Sequence, residues 1–159
     1  MQLKVFADYF QIHVLDEGSE TELDDAWNEQ TLSDRIVAVH DILGIRTEVN
    51  VDVDVDLVWH ASPPRLEAEA FDHVAEASIE IPSGRMVVMG CTDYLPEAPR
   101  FDVTPGLVRI RVQKSNLRAA TLADIDSDQS TETIERIRID TWPAAAPSGP
   151  DVVKRWASD

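Results

Sequence analysis

Asn50-Val51-Asp52-Val53-Asp54-Val55-Asp56-Leu57 alternates polar and apolar residues without a break, the last three polar ones acidic. In an extended chain successive side chains point to opposite faces, so Val51, Val53, Val55 and Leu57 share one face and Asp52, Asp54 and Asp56 the other. A helix would scatter both sets around its surface. The segment therefore reads as a strand with one buried face. At about 3.3 Å per residue its three carboxylates stand in a row, roughly 7 Å apart. Asp is a poor strand former, and like charges on one face repel. Three settings would offset that cost: a solvent face at a sheet edge, where charge discourages strand-to-strand aggregation; the basic surface of a partner; or a divalent ion. The ion has the least support. A calcium loop needs Gly at its sixth position and Glu at its twelfth, where this chain has Leu57 and Pro63.

The same period of two recurs along the chain. A first strand runs from Leu3 to Leu15, broken near Asp8 and carrying Tyr9, Phe10, Ile12 and Val14. Ile36 to His40 and Ile45 to Trp59 continue the pattern. Phe71 to Ile81 runs through the turn Pro82-Ser83-Gly84-Arg85 into Met86 to Cys91, and Arg100 to Val103 runs through Pro105-Gly106 into Leu107 to Gln113, two hairpin signals. Thr133 to Trp142 is the last strand. About eight short strands with Pro and Gly turns predict an all-β fold, an antiparallel β-sandwich with one short helical insert, a flattened β-barrel being the alternative. The insert would open with Thr21 and Asp24 as a capping pair and turn Leu23, Trp27 and Leu32 inward. Residues 1–142 form the expected β-sandwich domain. Residues 143–159 read as a Pro- and Ala-rich tail, loose or lightly docked from Asp151 onward.

Charge limits the function. The chain carries 30 acidic and 14 basic residues, a formal net charge of −16. Nucleic acids and anionic membranes are held by clustered Lys and Arg, so neither is an expected partner. Such a field attracts a basic protein surface, and the phosphate-gripping faces of nucleases are surfaces of that kind. Two segments are candidates for the contact. One is the ladder Asp52, Asp54 and Asp56. The other is the loop from Asp16 to Asp25, six acids and no base, with Asp16, Glu17, Asp24 and Asp25 as contacts and Trp27 as anchor or exposed hot spot. Arg109 with Arg111, and Arg136 with Arg138, share strand faces and are expected to pair with nearby acids.

Chemistry has little support. His13, His40, His60 and His73 show no zinc-ligand spacing, and no nucleophile elbow or phosphate loop occurs. Cys91, the one cysteine, reads as a small buried hydrophobe. The expectation is a protein without catalytic residues, cofactor or metal, with a metal- or carbohydrate-binding β-sandwich module as the alternative. The N-terminus lacks a signal-peptide pattern and no stretch reaches membrane-spanning length, which points to the cytoplasm.

Phe71-Asp-His-Val-Ala-Glu-Ala-Ser-Ile-Glu-Ile-Pro-Ser-Gly-Arg-Met-Val-Val-Met-Gly-Cys-Thr-Asp93 and Val103-Thr-Pro-Gly-Leu-Val-Arg-Ile-Arg-Val112 resemble bacterial proteins of the competence protein J family. Asp8-Tyr-Phe-Gln-Ile12 is similar to that family's early Tyr-x-Gln-Phe segment. The resemblance covers roughly residues 5 to 142. Members inhibit a DNA-entry nuclease, so the resemblance implies a small acidic β protein that blocks such an enzyme.

Overall fold

The computed structural model describes residues 1–157. Eleven strands form two sheets. The first has the order β1 (Gln2–Phe6), β5 (Asp52–Trp59), β10 (Arg136–Pro143), β9 (Gly106–Ser115), β6 (His73–Ile81), β11 (Asp151–Lys154). The second has the order β3 (Ile36–Val39), β4 (Ile42–Arg46), β2 (Gln11–Asp16), β7 (Arg85–Gly90), β8 (Arg100–Asp102). The two sheets do not close into a barrel. Pairing is antiparallel except between β5 and β10, which are far enough apart in sequence to allow the long connection that a parallel pair requires.

Two stretches that read as single strands are each divided between the sheets. Leu3 to Leu15 becomes β1 in the first sheet and β2 in the second, separated by a 3-10 turn at Asp8–Phe10. Ile45 to Trp59 becomes the end of β4 and then β5. The two crossings run side by side. Ala7 N donates to Val51 O at 3.0 Å and Thr47 N to Phe10 O at 2.9 Å.

One apolar core joins the inner faces. Val53, Val55 and Leu57 of β5 meet Ile110 of β9 and Ile137 of β10, together with Ile12, Leu43, Ile45 and Met86 of the second sheet. Each such side chain contributes about 1.5–3 kcal/mol of burial free energy, which sets the register of the alternating strands. The second sheet is apolar on its other face too. Leu15, Val37, Ile42, Val87 and Met89 are covered there by Leu23, with Trp27 packed alongside.

That covering explains where the helical insert begins. α1 spans Glu29–Asp34, capped by Asn28, whose Oδ1 accepts from Thr31 N at 2.9 Å while Thr31 Oγ1 accepts from Asn28 N at 2.8 Å. Thr21 and Asp24 do not cap it, and Leu32 is exposed. Leu23 and Trp27 face inward from a loop that lies across the sheet. A second helix, α2 (Leu117–Ala123), leads into a 3-10 turn at Asp124–Gln129.

The segment after Pro143 returns to the fold as β11, antiparallel to β6. Beyond it Arg155 pairs with Asp34 at 2.8 Å, and Arg35 stacks 5.1 Å from the Trp156 ring centroid. Residues 158 and 159 of the expected tail lie outside the described residues. Among the described residues no helix is long and apolar enough to cross a membrane.

Candidate functional site

The carboxylate ladder is not at a sheet edge. β1 covers one side of β5 and β10 the other, and the three Asp side chains are half-buried. Register places Asp54 opposite Lys4 and Arg136, and Asp56 opposite Arg138. Lys4 Nζ lies 3.1 Å from Asp54 Oδ1, and Arg138 Nη1 lies 3.8 Å from Asp56 Oδ2. Exposed pairs of this kind are worth about 0–1 kcal/mol each. They relieve the repulsion without adding much stability. The surrounding groove, about 620 Å³, has a mixed lining that includes Lys4, Asp54, Asp56, Arg136 and Arg138. The expected pairing of Arg109 and Arg111 is present as well: both hold Glu76, at 3.3 and 2.7 Å.

The acidic loop divides into two parts. Asp16 is buried, accepting from Ser83 N at 3.0 Å and Ser83 Oγ at 2.6 Å on one oxygen and from Gly18 N at 2.9 Å on the other. It clamps the loop to the β6–β7 turn. Glu17 bridges Arg85 at 3.2 Å and Arg100 at 3.1 Å. Both are occupied by the fold. Glu20, Glu22, Asp24 and Asp25 are exposed. Trp27 lies against Gly44, where an added Cβ would come within 2.7 Å of Trp27 Cζ2 and 2.8 Å of Leu23 Cδ1. Gly44 is thus the seat of the loop. The buried Trp27 Nε1 has no hydrogen-bond partner among the described residues.

Beside this loop lies the Asp8–Phe10 turn. Tyr9 and Phe10 have φ of 55° and 59°, a left-handed backbone that costs a non-glycine residue about 1–2 kcal/mol. Asp8 accepts from Thr92 Oγ1 at 2.9 Å, and its carbonyl accepts from Cys91 Sγ at 3.2 Å. Cys91 is therefore a half-buried donor at the turn, not a core hydrophobe. Burial pushes its thiol pKa up, and the carboxylates of Asp8, Asp93 and Asp24 push it the same way. The local potential is negative. The sequence showed a break near Asp8 but not that its aromatics would face water.

The described residues also contain a buried charge cluster that sequence reading missed. Lys114, fully buried, donates to Arg46 O at 2.6 Å and lies 3.3 Å from Glu48 Oε1 and 3.4 Å from Glu135 Oε2. Burial raises the Glu135 carboxyl pKa, with Lys114 opposing. Burial acts on Glu48 too, but Lys114 and Arg35 together hold it below its ordinary value. Next to them, His73 Nδ1 accepts from Trp156 N at 3.1 Å, so its Nε2–H donates to Asp34 O at 2.7 Å. Burial lowers its pKa to about 4, and the neighbouring cations Lys114, Arg35 and Arg155 act in the same direction. The cluster fastens the C-terminal segment to α1. Strand alternation could not reveal it, because Lys114 and Glu135 sit among polar residues at strand ends.

Among the described residues no three His, Cys, Asp or Glu side chains converge as a metal site. No family model matches the sequence, and no curated protein does. Two solved structures are similar. ComJ from Bacillus subtilis, described as the inhibitor of the DNA degrading activity of NucA, aligns with TM-score 0.68 at 10% identity, over 91% of this chain and 96% of that one. Crocagin biosynthetic gene J aligns with TM-score 0.56 at 19% identity, over 90% and 94%. The resemblance to the competence protein J family read from the strands and turns is thus met at the level of the fold: this chain is built like ComJ over nearly all of its described length.

Proposed function

We propose that this chain is an acidic binding protein that inhibits a nuclease by lying over its basic nucleic-acid-binding surface, without a catalytic step of its own. The observation that carries the reading is the fold shared with ComJ, an inhibitor of a DNA-degrading activity. The net charge of −16 supports it, because a nuclease must present Lys and Arg to phosphates and those groups attract this surface.

The geometry supports different roles for the candidate residues. Asp24 and Asp25, exposed with Glu20 and Glu22, are the loop acids free to meet a base. Asp16 and Glu17 shape the loop, and Trp27 supports it. Asp52, Asp54 and Asp56 add to the long-range field, reduced by Lys4 and Arg138. The test is to titrate the purified protein into NucA, and into any nuclease encoded beside its gene, with excess Mg²⁺ at two salt concentrations. Inhibition saturating near equimolar ratio and weakening with salt is expected. DNA degradation unchanged at every ratio would dismiss the reading.

A further inference from the structure

We infer that the contact surface is the left-handed aromatic turn Asp8-Tyr9-Phe10 beside the acidic loop, and that it takes an arginine- or lysine-rich protein surface. This rests on the proposed inhibitor role and names where the partner docks.

Two successive left-handed positions are met at least cost by Gly or Asn. Here they hold a tyrosine and a phenylalanine, 70% and 47% exposed. The fold draws little from rings held in water, so these side chains serve something outside it. Their backbone is fixed: Phe10 N donates to Ala7 O at 3.1 Å and to Asn50 Oδ1 at 3.2 Å, and Phe10 O accepts from Thr47 N. A rigidly presented aromatic loses little entropy on binding.

The surroundings define the partner. Tyr9, Phe10, Trp27 and Leu32 border a groove of about 220 Å³. Phe6, ahead of the turn on β1, and Tyr94, which follows the 91–93 turn bonded to Asp8, are also exposed, by 43% and 67%. Asp8, Asp93 and Asp24 impose a common negative field, as their effect on Cys91 shows. Arg46 also borders the groove, but its Nη1 donates to Leu32 O. Aromatic faces ringed by carboxylates accept guanidinium and ammonium groups by cation–π contact and ion pairing. The same carboxylates repel an anionic lipid surface.

The decisive variant is Tyr9→Asn with Phe10→Asn, because Asn tolerates the left-handed backbone and any loss of binding is then separable from unfolding. With NucA as probe, the double variant should bind at least about tenfold more weakly with a melting temperature unchanged or higher. Leu122→Asn, which removes another exposed apolar side chain on α2, should bind as the parent does. Equal binding by the aromatic variant, or loss by Leu122→Asn alone, overturns the assignment. If the parent inhibits neither NucA nor a nuclease encoded beside its gene, the inhibitor role fails while the surface stays testable. A deca-arginine peptide titrated by NMR should then shift the Tyr9, Phe10 and Tyr94 ring signals first. Shifts centred on Asp54 and Asp56, or none at these rings, overturn it.

Discussion

Asp52, Asp54 and Asp56 on β5 and Glu20, Glu22, Asp24 and Asp25 in the loop after β2 place the same carboxylates in two settings. On β5 the neighbouring strands set Lys4 and Arg136 opposite Asp54 and Arg138 opposite Asp56, while Asp52 faces Phe6. The loop lies over an apolar face with no strand beside it, and none of its four exposed acids forms an ion pair among the described residues. A sheet sets opposite charges about 5 Å apart by its register; a loop offers no such lattice. Asp54 and Asp56 are therefore balanced by the fold, whereas Glu20, Glu22, Asp24 and Asp25 are not.

The paired side of this contrast should break most severely at Lys114, its most deeply buried member. Lys114→Met leaves Glu48 and Glu135 without their shared cation, and should cost about 3–5 kcal/mol in chemical denaturation. Adding Glu135→Leu should recover much of that loss. A Lys114→Met protein as stable as the parent would show that the cluster is electrostatically idle.

The next effect depends on pH. His73 is held neutral, with its folded pKa lowered to about 4 from 6.5. The unfolded chain therefore binds the extra proton in that window. The stability contributed by neutral His73 is complete above pH 6.5 and is lost as pH falls toward 4, by on the order of 3 kcal/mol. The raised Glu135 carboxyl runs the other way, its contribution being lost as pH rises. The difference between parent and His73→Gln denaturation curves across pH isolates the histidine, and a difference independent of pH would refute it.

On the loop side, Gly44→Val pushes a side chain into Trp27 and Leu23. It should cost about 1–3 kcal/mol and quench-shift Trp fluorescence as the loop lifts. A parent-like spectrum and melting temperature would mean that the loop is not seated there.

The smallest effect is expected on the ladder. Replacing Asp52, Asp54 and Asp56 together by Asn removes mutual repulsion and weak pairs at once, so stability should change by less than about 1 kcal/mol. A loss of several kcal/mol would make the ladder a structural element in its own right.

Much of the fold was legible because burial on one face of a strand imposes a period of two. The turns at Pro82-Ser83-Gly84-Arg85 and Pro105-Gly106 fall where the sequence put them, but neither closes the hairpin it signalled: β6 and β9 pair within the first sheet and β7 and β8 within the second, so each turn carries the chain from one sheet to the other. The hidden features are those that alternation does not encode. The run from Leu3 to Leu15 keeps its period while its halves enter different sheets, because the left-handed turn at Tyr9 and Phe10 redirects the chain without Gly or Pro to mark it. β11 lies past a linker-like stretch, and depends on Lys154 reaching Ala68 O and Phe71 O and on Trp156 meeting His73.

The sequence by itself determined a β fold, a strongly acidic surface and the face of β5 that is buried, since these follow from local alternation and a count of charges. Only the tertiary structure decided which acids are balanced and which are free. That outcome depends on which strands become neighbours, and charges brought together from residues 4, 54 and 136, or from 48, 114 and 135, have no signature in local order.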